Sequence, residues 1–385
     1  MIQATENSVK PPNDHRPTIC HVIHALGVGG AEVLVDKMIR ESSEQFRCMV
    51  AVLDDIGEIG TQLQADGFVV KHLHRQPGID RGSAKRLRSF ADENRVDILH
   101  AHQYTPFFQA MLSRGFLGRR PVLFTEHGRH FPDLPSRKRS VVNRLLLNRR
   151  DRLVGVGGAV RQALIDNEGL PARRVEVVYN GVDLQALAAG DTSQRDELRA
   201  SFGFTETDFV AIQVARLHEL KDHLTAIATI DEARKQNPSI KLLIVGEGDE
   251  RHSIENEIQR RNLSNHVVLA GNRNDIANLL TATDCFLMTS ISEGIPLTII
   301  EAMAANLPVV STAVGGIPEM IVHGESGFLS TAKDNVDLAK HLVQLSKDVT
   351  LCHTVAAAGH TQAKQKFSIQ NMLSRYSDIY MEMIK

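Results

Sequence analysis

Thr18–Ala25 (TICHVIHA) leads through Leu26 into Gly27-Val28-Gly29-Gly30-Ala31-Glu32 and then into Val33–Glu41 (VLVDKMIRE). The first segment is rich in β-branched residues and reads as a strand. In the third, Val33, Leu34 and Met38 recur at helical spacing opposite a polar face. Strand, glycine turn and helix in that order form the opening of a parallel α/β sheet.

The same alternation extends along the chain. Cys48–Leu53, Val69–Leu73, Asp97–Ala101, Pro121–Thr125, Leu153–Val156 and Val175–Tyr179 are short β-rich runs separated by helical segments. Asn180-Gly181-Val182-Asp183 breaks the pattern, and the polar, Ala-rich stretch 184–197 reads as a linker. The alternation then restarts with Phe209–Val214, Lys241–Val245, Val267–Ala270, Cys285–Thr289, Pro308–Thr312 and Gly327–Leu329. Phe367–Ile384 carries an apolar stripe and closes the chain as a helix. The sequence therefore predicts an α/β protein of two doubly wound, Rossmann-like domains facing a cleft that holds a ligand. Residues 1–17 are a polar leader, 18–183 the first domain and 184–366 the second, with 367–385 as the terminal helix.

Composition agrees with this class. A chain of 385 residues suits two domains, and 42% hydrophobic with 23% charged residues is ordinary for a globular protein. The charge is divided unevenly. Residues 1–180 hold 26 Lys and Arg against 20 Asp and Glu (+6), and the remainder 18 against 26 (-8). Neither half is basic enough for a nucleic-acid binder. Cys20, Cys48, Cys285 and Cys352 are scattered without a Cys-x-x-Cys pair, as in reduced cytoplasmic proteins. The leader lacks an apolar signal-peptide core, and no apolar run approaches membrane-spanning length.

Four motifs bear on chemistry. Gly27–Gly30 can bring backbone N–H groups to a phosphate, but the third glycine of a dinucleotide fingerprint is absent. A plain βα turn is the alternative. His100-Ala-His102 puts two imidazoles on one face of a strand, yet no spacing supplies a third and fourth ligand, so no metal site is expected. His127, in Phe124-Thr125-Glu126-His127-Gly128, falls where a strand gives way to a cleft-facing loop. Arg216 and Lys221 flank a turn into a helix, where cations and free N–H groups make an anion site; a solvated surface pair is the alternative. The most specific stretch is Ser292-Glu293-Gly294-Ile295-Pro296-Leu297-Thr298-Ile299-Ile300-Glu301-Ala302-Met303. There, Pro296 suits the first helical position and two carboxylates flank a phosphate-attracting helix start.

Taken together these motifs resemble the retaining glycosyltransferases of family four, whose architecture is the two-Rossmann GT-B fold. Glu293 to Glu301 matches the family's E-x7-E pattern, and Ala215-Arg216-Leu217 with Lys221-Asp222 its R-L…K segment. Gly29-Gly30-Ala31-Glu32, His127-Gly128, Asn180–Asp183 and Val245-Gly246-Glu247-Gly248 fall in the expected order. The resemblance implies that Arg216 and Lys221 neutralise a departing donor diphosphate and that Glu301 holds the ribose. Glu293 and His127 would contact the transferred sugar, with backbone from Ile295, Pro296, Leu297 and Thr298 beside phosphate or sugar. Gly29 and Gly30 would line the diphosphate and acceptor side of the cleft, and Gly246 would belong to the donor-binding set. Asn272 and Arg273 would flank the base, and the terminal helix would cross back to the first domain. Implied too is a retained configuration, through same-face attack with no divalent metal. No cofactor is expected, and a UDP-sugar is favoured over a GDP-sugar as donor.

Rival readings remain. A dehydrogenase would leave Arg216, Lys221, Glu293 and Glu301 unexplained, whereas a sugar-nucleotide epimerase or phosphorylase of the same architecture would use them. The acceptor is expected to be a glycan or lipid-linked molecule of cell-surface polysaccharide or glycolipid synthesis. Arg137–Arg152 (RKRSVVNRLLLNRRDR) holds seven basic residues around Val141, Val142, Leu145 and Leu146. It reads either as a basic helix resting on an anionic membrane or as an ordinary packing helix. The protein is expected in the cytoplasm, peripheral on the inner face of the membrane.

Overall fold

The computed structural model describes residues 14–27, 29–114, 118, 120–128, 135–188 and 194–385. Val28, His130, most of the polar leader and part of 184–197 lie outside them. The chain divides into two compact units. One holds residues 14–128, 135–178 and Met372–Lys385, and the other Tyr179–Asn371.

In the first unit β1 (Thr18–Ala25), β2 (Arg47–Asp55), β3 (Val69–His72), β4 (Ile98–His102), β5 (Val122–Glu126), β6 (Arg152–Gly155) and β7 (Val175–Val177) form one sheet. Its order is β3-β2-β1-β4-β5-β6-β7, and every pairing is parallel. Burial explains the composition: Val22, Met49, Leu53, Leu99, Val122 and Phe124 lie in one core with Leu87, Phe107 and Leu164 of the flanking helices. Chain order reverses between β1 and β4, so the loops leaving those strands diverge and open a crevice at their carboxyl ends.

The second unit repeats the plan with β8 (Phe209–Val214), β9 (Ile240–Val245), β10 (Val267–Gly271), β11 (Cys285–Met288), β12 (Val309–Thr312) and β13 (Phe328–Ser330). The order is β10-β9-β8-β11-β12-β13, again parallel throughout, with the reversal between β8 and β11. Its separate core includes Ile227, Ile230, Leu242, Ile244, Leu287 and Leu342. Both sheets are those of a two-domain, Rossmann-like α/β fold.

Several local expectations need correction. The stretch 184–197 is not bare linker: helices span Leu184–Ala188 and Arg195–Ser201. Arg195 and Arg199 both bind Asp284, which fixes the second of these helices within the second unit. The helix expected over Arg137–Arg152 stops at Leu146, and Arg152 already opens β6. The cause is Asp151, fully buried, which accepts from Arg114, from Val122 N (3.0 Å) and from Asn148 N (2.7 Å) and so pulls the chain inward. Pro296 is the residue before the helix Leu297–Ala304 (φ -69°, ψ 123°), not its first turn. The terminal helix begins at Ile369, and Tyr376 and Tyr380 are buried in the first unit.

Candidate active site

In the second unit the polar residues gather where the loops after β8 and β11 leave the point of reversal. Ile291 N donates to Leu220 O at 2.9 Å, a backbone bond between the two loops. The short turn Glu219–Lys221 therefore lies beside Glu293. Lys221 Nζ donates to Glu293 Oε1 at 2.6 Å, and Ser290 Oγ donates to the same oxygen at 2.7 Å. The Glu293 side chain is 9% exposed and that of Lys221 27%, so the pair is partly desolvated. Thr289 and Gln213 secure the turn from below. Thr289 Oγ1 donates to Asp222 O at 2.8 Å, and Gln213 Nε2 to Lys221 O at 3.2 Å. Arg216 is exposed on the same loop and makes no hydrogen bond among the described residues.

Two glycines let the loops approach. Gly246 has φ +139°, and a Cβ there would stand 2.1 Å from Ala215 O. Gly315 has φ +54°, and a Cβ would stand 1.8 Å from Glu293 O. A side chain at either position would push apart the backbone that carries Arg216 or Glu293. Gly316 N donates to Gly294 O at 3.1 Å, so the loop after β12 also supports the glutamate.

Ile295 O accepts from Asn180 Nδ2 at 3.0 Å, which fixes the entry to the helix Leu297–Ala304. No side chain caps that helix, because Pro296 offers no acceptor, and its first N–H groups are placed for an anion. Leu297 and Thr298 form its first turn and Glu301 its second. Asn272 and Arg273 are exposed after β10. Arg273 is held by Asp275 at 2.8 and 2.6 Å and lies over the Phe202 ring.

In the first unit Gly29 precedes the helix Gly30–Glu41 at the end of β1, with the Glu32 carboxylate folded against it. The structure brings the scattered histidines together. His21 on β1 is the register partner of His100 on β4, and His102 follows two residues on. His102 Nε2 lies 3.0 Å from His21 Nδ1, and His102 Nδ1 lies 2.9 Å from His127 Nε2. His100 bonds instead to Tyr380 OH (2.6 Å) and Thr125 Oγ1 (2.8 Å). Burial disfavours the imidazolium in all of them: His127 is lowered to about 4, His21 to about 3, and His100 and His102 well below the usual range.

The third ring nitrogen that sequence spacing did not supply is thus present. His21, His100 and His102 offer nitrogens within 4.8 Å of one another. However, both nitrogens of His100 and of His102 are already engaged in hydrogen bonds. Sequence reading noticed His100 and His102 but missed His21 as their neighbour, and missed Ser290, Gly315 and Gly316. The Gly-Gly pair after β12 was the one available signal for the last two.

Two such units, each with its polar residues at strand carboxyl ends beside the sheet reversal, define a GT-B enzyme. Family comparison completes the assignment. Residues 28–186 match the model described as Glycosyltransferase Family 4, and residues 194–362 the model described as Glycosyl transferases group 1. The chain belongs to this glycosyltransferase family. It is 28% identical over 324 residues to an N-acetyl-alpha-D-glucosaminyl L-malate synthase of Bacillus anthracis, covering 81% of this chain and 82% of that one. It is 25% identical over 312 residues to a UDP-Gal:alpha-D-GlcNAc-diphosphoundecaprenol alpha-1,3-galactosyltransferase of Escherichia coli, covering 79% and 80%. Among solved structures, Anabaena HepE in complex with UDP and glucose superposes with a TM-score of 0.83 at 25% identity, over 94% of this chain and 99% of that one.

Proposed function

We propose that this glycosyltransferase moves a hexosyl unit, with retained configuration, from a UDP-sugar to a glycan or lipid-linked acceptor of cell-surface polysaccharide or glycolipid synthesis. The observation that carries the reading is the joining of Lys221 to Glu293 between the loop that also carries Arg216 and the loop that leads into the uncapped helix Leu297–Ala304. Transfer builds negative charge on the departing phosphate. Cations and helix N–H groups already fixed in place stabilise that charge without reorganising. The Lys221–Glu293 pair gives the lysine a resting partner, and an arriving diphosphate competes for it. Glu301 grips the ribose, Glu293 and His127 meet the sugar, and no metal is required. Support for uridine comes from the UDP in the HepE complexes and the UDP-Gal of the Escherichia coli relative.

The acceptor is placed at an anionic membrane surface on the cytoplasmic side. No helix among the described residues is long and apolar enough to cross a membrane. The helix Arg137–Leu146 has two faces. Arg139 reaches Glu168 at 2.8 Å and lies over the Tyr104 ring, and Asn143 is buried. The opposite face presents Arg137, Lys138 and Arg144 around Val141 (59% exposed) and Leu145 (68% exposed). Basic residues around an exposed apolar centre suit an anionic lipid surface.

Mass spectrometry after incubation with UDP-, GDP- and ADP-sugars and candidate acceptors tests the reaction. Acceptor-dependent product from a UDP-sugar is expected. Free sugar released in equal amount without acceptor would instead favour the epimerase reading.

A further inference from the structure

The three rings His127, just after β5, His102 on β4 and His21 on β1 are joined nitrogen to nitrogen, and the buried Nδ1 of His127 has no hydrogen-bond partner among the described residues. We infer that His102 and His21 are positioning residues for His127: the two ring-to-ring hydrogen bonds couple the three tautomers, so the tautomer of His21 and whether His127 Nδ1 donates to or accepts from a sugar hydroxyl are set together. The inference rests on the proposed placement of His127 beside the transferred sugar.

The coupling follows from counting protons. A neutral imidazole carries one N–H, and each N···N contact needs one donor and one acceptor. If His102 Nε2–H donates to His21, its Nδ1 is bare and must accept from His127 Nε2–H. His127 Nδ1 is then an acceptor. If His102 Nδ1–H donates to His127 Nε2, then His127 Nδ1 carries the proton and is a donor, and His102 Nε2 accepts from His21 Nδ1–H. No mixed arrangement keeps both bonds. Burial keeps the rings neutral, so protonation does not relieve the constraint.

The surroundings hold the chain without adding a charge to it. His100 lies against both His21 and His102, with centroids 5.2 and 4.1 Å away, but spends its nitrogens on Tyr380 and Thr125. Thr125 Oγ1 also meets Tyr376 OH at 3.1 Å. These hydroxyls rotate to suit either tautomer of His100. The orientation of a group that meets substrate is commonly imposed by the hydrogen bond on its other nitrogen, and here that control extends over two rings.

The test uses the full-length protein labelled with 15N-histidine, with His127 assigned by comparison with His127→Gln. Long-range 1H–15N spectra of wild type should show His127 as a single neutral tautomer at pH 7. In His21→Phe, which keeps a ring but no nitrogen, the His127 signals should move towards the tautomer-averaged position although His21 does not touch it. His102→Asn places an amide near the Nδ1 position and His102→Gln near Nε2. Turnover should therefore fall about tenfold in His102→Gln, and His102→Asn should restore most of it, with affinity for free UDP unchanged in both. Unaltered His127 signals in both His21→Phe and His102→Gln would overturn the coupling. Coupled signals with normal turnover in His127→Gln would instead remove His127 from the sugar. Zinc that binds at one equivalent and displaces the His21, His100 and His102 signals would replace the relay with a metal site.

Discussion

Lys221 and Arg216 are two cations on one loop with different surroundings, and they respond differently to removal. Arg216 is exposed, so Arg216→Ala should lower transfer about a hundredfold, roughly 3 kcal/mol of transition-state stabilisation, with an unchanged melting temperature. Lys221→Ala leaves the Glu293 carboxylate largely buried with Ser290 as its remaining partner, and should cost about 2 kcal/mol of stability as well as turnover. Adding Glu293→Gln to Lys221→Ala should recover the stability and not the rate. Thermal melts beside initial rates check this, and equal melting shifts for Arg216→Ala and Lys221→Ala would contradict it. The glutamates separate in the same way. Glu301→Ala should weaken free UDP and intact donor alike, and Glu293→Ala the donor far more than UDP, as read by calorimetry.

Among the elements, the helix Arg137–Leu146 makes a prediction of its own because its inner and outer faces do different jobs. Arg139 belongs to the packing face, so a charge-removal variant must spare it. Arg137→Gln, Lys138→Gln and Arg144→Gln together should leave folding intact and weaken binding to anionic vesicles. Each basic residue near such a surface is worth about 1 kcal/mol, which gives roughly a hundredfold loss in partitioning at low salt. Val141→Ser with Leu145→Ser should weaken binding at high salt too, where screening has already removed most of the electrostatic attraction. Co-sedimentation with vesicles of neutral and anionic lipid measures both. Equal sedimentation of all variants would leave the helix as packing alone.

Across the whole molecule, buried neutral histidines make stability depend on acid. His21 (about 3) and His127 (about 4) in the first unit and His223 (about 4) in the second have folded pKa values below the ordinary 6.5, all chiefly from burial. Below pH 6.5 the unfolded chain binds protons that the folded one refuses, so stability is complete above that pH. It falls as pH drops towards 4. The slope is about 1.4 kcal/mol per pH unit for each such histidine. Urea midpoints of both units should therefore drop between pH 7 and pH 5. A flat profile would mean that these rings are charged in the folded state.

Periodicity is a local property, and so the strands, the glycine turns and the alternation that makes two doubly wound units were legible in the chain. β1 and β8 match their predicted limits because β-branched runs ended by Gly or Arg-Leu turns have no competing local structure. The Glu293–Glu301 spacing was equally local, since it spans one loop and one helix. Where local patterning stopped, tertiary structure decided. The basic stretch after Arg137 kept its helical pattern on paper, but buried Asp151 bound Arg114 from another helix and ended it. The Lys221–Glu293 pair and the His127–His102–His21 chain join residues 72, 25 and 81 positions apart. Such contacts arise only when sheet order sets β1 beside β4 and β8 beside β11, a choice made by burial of whole faces and not by any residue's neighbours in sequence.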